Sequence, residues 1–100
     1  MSITKNFKAI SICGFAGCEI IVTGEANIGM LDVMPKLEKR IPQGLNPSIL
    51  LLNLINAGNA QPENFKHVQY NEKIEHQDQY KTVDLFHDNH SIQMIDVVLK

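Results

Sequence analysis

The stretch Ile49-Leu50-Leu51-Leu52-Asn53-Leu54-Ile55 is the most apolar in the chain, and whether it winds or extends decides the fold class. Periodicity alone does not separate a buried helix from a buried strand in so short a run. Its flanks favour a helix. Asn46-Pro47-Ser48 offers Asn46 or Ser48 as an N-terminal cap, and Asn56, Gly58 and Asn59 offer a stop. Wound as a helix, the run places Leu51, Leu52 and Ile55 on one face and Leu50 and Leu54 on an adjacent flank. Few helices of a 100-residue domain can be covered on every side, so the uncovered flank adds to a patch of the kind that marks an interaction site. Leu50, Leu51, Leu54 and Ile55 are therefore the candidate protein-interaction residues.

Towards the N-terminus, Pro42-Gln43-Gly44 breaks the chain, and Pro35 suits the first turn of a helix from Pro35 to Ile41. Asn27 caps a shorter helical segment that runs to Met34 and is weakened by Gly29. Before these, Phe7 to Gly24 reads as a β-hairpin, with Gly14-Phe15-Ala16-Gly17 as its turn. In its second strand Cys18, Ile20 and Val22 share one face, and Glu19, Ile21 and Thr23 the wetter one. Towards the C-terminus, Pro62-Glu63-Asn64-Phe65 suits the opening of a helix with Phe65 and Val68 inward, but Val68, Tyr70 and Ile74 at even positions suit a strand, and the balance favours a strand from Lys66 to Ile74. The segment Tyr80 to Phe86 alternates with Val83 and Leu85 on one face, and His87-Asp88-Asn89-His90 is a turn. Ser91 to Leu99 returns with Ile95, Val97 and Leu99 on one face and Ile92, Met94 and Val98 on the other. Apolar residues on both faces suggest a central strand, or one covered on both sides. The expected fold is a single α+β domain over residues 1–100. It has an N-terminal β-hairpin, central helices and C-terminal antiparallel strands in one sheet, with the helices packed on one face.

Composition narrows the function. Hydrophobic residues make up 44% of the chain and charged residues 20%, which is globular rather than disordered. The net charge is −2, and the one dense basic cluster, Lys36, Lys39 and Arg40 with Glu38 inside it, reads as a solvated helix face. Nucleic-acid recognition, which needs a basic stripe, is not expected. No apolar run reaches membrane-spanning length and the first residues carry no signal-peptide core, so a cytoplasmic location with no membrane role is expected. There Cys13 and Cys18 are expected as free thiols. With 12 isoleucines, 9 asparagines and 8 lysines against one arginine, the codons are AT-rich, as is common in bacteriophages and other mobile elements.

Few constellations carry chemistry. Cys13 and Cys18, spaced C-x4-C, and His87 and His90, spaced H-x2-H, make a tetrahedral zinc set if the two hairpin tips meet. The bland alternative is two apolar cysteines and two polar turn histidines. Neither cysteine sits in a nucleophile signature, and Gly14 and Gly17 lack the helix and Lys-Ser/Thr pair of a phosphate loop. The expectation is a small non-catalytic protein-binding module without a cofactor, which homodimerises and, if encoded by a phage or mobile element, modulates or inhibits a host protein complex. The alternative is the zinc-binding protein.

Overall fold

The computed structural model describes residues 3–30 and 33–100. Among them there is no helix; seven strands form one sheet. The strands are β1 (Thr4–Gly14), β2 (Gly17–Asn27), β3 (Lys36–Lys39), β4 (Ile49–Ile55), β5 (Phe65–Ile74), β6 (Thr82–His87) and β7 (His90–Leu99). Their order is β3-β4-β6-β7-β1-β2-β5, and the sheet curls until the two edge strands, β3 and β5, lie side by side. The result is a nearly closed, barrel-like all-β fold, not the expected α+β sheet with helices on one face. The helix expected from Pro35 to Ile41 is the short strand β3, and the helix expected after Ser48 is β4. Of the segment expected to be helical from Asn27 to Met34, Leu31 and Asp32 lie outside the described residues, and the rest is the end of β2 and irregular chain.

The deciding run extends because extension buries it better. In β4, Leu50, Leu52 and Leu54 point inward and are buried, while Ile49, Leu51, Asn53 and Ile55 alternate outward and are half-buried. A sheet face that is wrapped into a barrel offers three leucines at period two a common interior. That interior also takes Ala9, Ile20, Val22, Val68, Ile74, Val83, Leu85 and Ile95. The apparent helix cap serves a turn instead: Asn46 Oδ1 accepts hydrogen bonds from the Ser48 N–H (3.0 Å) and the Ser48 hydroxyl (2.7 Å). The expected N-terminal hairpin is present as β1–β2. The second turn is present as well, with Asp88 and Asn89 both at positive φ (51° and 65°), the twist a two-residue hairpin turn requires.

Two parallel pairings, β1 with β7 and β4 with β6, fix which loops share an end. The Gly14–Gly17 turn, residues 40–48 and residues 75–81 lie at one end, together with Lys100. The Asp88-Asn89 turn and residues 56–64 lie at the other. Both ends are pinned by buried polar side chains. Ser11, fully buried, donates to the Gln77 carbonyl at 2.6 Å, and the Gln77 amide reaches the Lys100 carbonyl at 2.6 Å, so the 75–81 crossing is tied to β1 and to the chain end. At the far end the Asn27 side-chain amide donates to the Gly58 carbonyl (2.9 Å), and its carbonyl accepts from the Asn64 N–H (2.7 Å).

Candidate functional site

Buried elements hold the expected interaction residues apart rather than in one patch. Leu50 and Leu54 belong to the barrel core. Leu51 lies on the outer face of β4 under the 40–48 loop, where a Cβ added at Gly44 would stand 3.4 Å from its Cδ1. Ile55 borders an open hollow of about 690 Å³ at the Asn89 end, with Met30, Val33 and His87. Leu51 and Ile55, on the outer face of β4, are half-buried.

The zinc set does not assemble. Cys13 and Cys18 face each other in the β1–β2 ladder and are joined in a disulfide, so neither is the expected free thiol. β7 begins at His90 and finishes beside the end of β1, so its ten residues separate the two hairpin tips by roughly 30 Å at ~3.3 Å per residue. His87 instead uses Nε2 on the Ala57 carbonyl at 2.9 Å. Among the described residues no group of three or more potential ligands is arranged around a common point.

The basic cluster on β3 is paired internally. Lys36 Nζ lies 2.9 Å from Glu38, and Lys39 Nζ lies 3.1 Å from Glu72. The Arg40 guanidinium stacks 4.4 Å over the Phe86 ring and donates to Asn53 Oδ1 at 2.9 Å. These cations are spent on the strand and its neighbours, which is a different role from the solvated helix face expected of them.

At the seam between β3 and β5 the barrel closes through side chains rather than a ladder. Glu72 accepts from the Tyr70 hydroxyl at 2.6 Å and from the Tyr80 hydroxyl at 2.8 Å, while Lys39 reaches it across the seam. Burial works to raise the Glu72 carboxyl, but the hydrogen bonds from Tyr70, Tyr80 and Lys39 outweigh it and hold the carboxyl below its ordinary range. Burial, then the bond to Glu72, pushes the Tyr70 phenol far up, and Tyr80 moves up for the same reasons. Burial pulls Lys39 down, but its bonds to Glu72 and Tyr80 outweigh this and raise it. Every member is thereby fixed more firmly in the state it already holds at neutral pH. A general acid or base needs the opposite tuning, towards neutrality. The seam is built to hold, not to exchange protons.

The Phe15 end offers a surface. Three large apolar side chains there are fully in solvent: Phe15 (114% exposed) at the β1–β2 turn, and Leu45 (104%) and Ile41 (90%) on the 40–48 loop. Between the loops, residues 43–49 and 75–80 border a hollow of about 600 Å³ that ends on Tyr80. Phe15 stands on a short two-sided support. The Gly14–Gly17 turn is closed directly behind it by the Cys13–Cys18 disulfide, and Gly17 takes φ 108°, which side chains rarely allow. Sequence reasoning placed Phe15 in the turn but gave it no role. The signal was there: a bulky aromatic between two glycines is costly to leave in water unless something covers it. Glu72 gave less warning, because a charge is not expected on the inward face of a strand.

Comparison with known protein families, with curated proteins and with solved structures finds no match to this chain.

Proposed function

We propose that the protein is a non-catalytic binding module that docks its Phe15 end onto another protein. The observation that carries this reading is that Phe15, Ile41 and Leu45, each exposed, lie on loops at the same end of the barrel. Aromatic anchors that fill an apolar pocket supply much of the energy of protein interfaces. A short turn held between two paired strands loses little conformational entropy when it binds. The AT-rich composition extends it: a phage- or mobile-element-borne module of this size would bind, and so modulate or inhibit, a host protein complex.

Affinity capture from a host lysate, run in parallel with wild type and with Phe15→Asp, tests the reading. A protein retained by wild type and by an exposed control variant at the opposite end, Glu63→Lys, but lost with Phe15→Asp, is the expected result. An identical set of captured proteins in all three would overturn it. No helix among the described residues is long and apolar enough to cross a membrane. A cytoplasmic location, which we also propose, has its own check, because a disulfide seldom persists in a reducing cytosol and the structure joins Cys13 to Cys18. Alkylatable thiols in acid-quenched cells would support the cytoplasm; a pair that resists alkylation until reduced would place the protein in an oxidising compartment.

A further inference from the structure

The outer face of the sheet carries a second surface, independent of the loop end. β7 is a central strand whose inward Ile95 and Val97 join the core, yet its outward residues Ile92, Met94 and Val98 are exposed. The ladders continue this apolar surface sideways: Val98 stands beside Ile10 of β1, and Ile10 beside Ile21 of β2. Ile12, also exposed, extends it towards the Phe15 end. Of the two expectations for this segment, the central strand holds, while the outer face is left open by this subunit.

Charge says what covers the other. Ala9 pairs with Val97 in the parallel β1–β7 register, so Lys8 and Asp96 stand side by side on the outer face. Both are exposed, and among the described residues neither makes an ion pair or a side-chain hydrogen bond. A two-fold axis parallel to the strands, above the β7–β1 boundary, sends each β7 onto the partner's β1. Under that operation Asp96 meets Lys8 of the second copy at the same height, Lys8 meets its Asp96, and Val98 meets Ile10. The patch is therefore complementary to itself, the requirement of an isologous interface.

We propose that the protein forms a two-fold dimer through the outer face of β7, β1 and their neighbours, with reciprocal Lys8–Asp96 pairs flanking the apolar stripe. Four strands ~4.8 Å apart and about 30 Å long give a face of roughly 600 Å² per copy, at the lower end of specific interfaces. Association is accordingly concentration-dependent. Because the axis runs along the strands, both Phe15 ends point the same way, which makes the dimer a bivalent form of the binder; this consequence alone rests on the docking function proposed above.

The test is mass by light scattering over a concentration series, with folding of every variant checked by circular dichroism. Wild type should approach twice 11.2 kDa. Lys8→Asp and Asp96→Lys, each alone, should weaken the dimer at least about tenfold, because like charges then meet twice. Mixed one to one, the two variants should dimerise with each other, since both reciprocal pairs are restored. Val98→Glu should be monomeric, and Phe15→Asp should remain dimeric even if it loses every docking partner. A monomeric wild type, a mixture that stays monomeric, or a dimer that Val98→Glu leaves intact or Phe15→Asp abolishes would overturn the proposal.

Discussion

Glu72 is the residue on which the closure of the barrel depends, and its removal has a signed pH signature. Glu72→Gln keeps an acceptor for one tyrosine but loses the charge that holds Lys39 and strengthens both phenol bonds. Loss of charge-assisted bonds at a largely covered site costs about 2 kcal/mol at neutral pH. The carboxyl is held below its unfolded value of 4.5, so its contribution is fully present above that pH and is lost as pH falls through the lowered value. Tyr70, Tyr80 and Lys39 are raised above unfolded values of 10.0, 10.0 and 10.5, so their contribution is full below pH 10 and is lost as pH rises beyond it. Thermal melts from acid to alkaline pH should show the Glu72→Gln deficit widest in the neutral plateau and shrinking at both extremes. A deficit that does not change with pH would detach Glu72 from the ionic closure. Gly24 makes a different demand. Its absent side chain admits the Phe7 ring, whose atoms would lie 2.4 to 2.7 Å from an added Cβ. Gly24→Ala should cost about 1–3 kcal/mol by overpacking, measured by denaturant unfolding, since an aromatic ring has no flexible end to yield.

At the scale of elements, β4 gives the sharpest discrimination between the fold expected and the fold observed. A helix would place Leu51 and Leu52 on one face; the strand places them on opposite faces, Leu52 buried and Leu51 half-covered. Leu52→Ala should cost about 2–5 kcal/mol and Leu51→Ala roughly 1 kcal/mol or less in the same unfolding assay. Equal losses would argue for the helix. The misreading has a physical origin. An exposed outer face would have alternated with polar residues and declared a strand, but residues 40–48 cover Leu51 and the end loops shelter Ile55, so both faces stay apolar. The loop is held there by Gln43, whose side-chain amide pairs with the Leu51 backbone as a strand residue would: Nε2 donates to the carbonyl at 2.8 Å, and Oε1 accepts from the N–H at 2.9 Å. No local pattern announces such a contact. The two hairpins were legible because turn and strand partners are adjacent in sequence, as Gly14–Gly17 and Asp88-Asn89 show. Of the candidate surface, Phe15 was visible as a turn residue. That Ile41 and Leu45 join it at one end follows only from the parallel β4–β6 and β1–β7 pairings, which join residues far apart in the chain.

Those parallel pairings govern the whole molecule. The N-terminal hairpin is local and β5 pairs onto it, but its ladder connection to β3, β4 and β6 runs through β7, the last strand. Closing so long a loop costs entropy before any contact rewards it, which places folding in the millisecond-to-second range typical of non-local β topologies. The same order sets where the native state opens. β7 and β1 are paired on both sides at the centre of the sheet, whereas β3 has four residues, one ladder and a seam closed by side chains. Native-state hydrogen exchange should therefore give the highest protection, near the global unfolding free energy, to β7, β1 and β2. β3 should exchange through a smaller, local opening. Glu72→Gln should lower protection in β3 and along the seam-facing edge of β5 more than in β7. Uniform loss across all seven strands would mean that the seam is not a separable unit and that the barrel opens only as a whole.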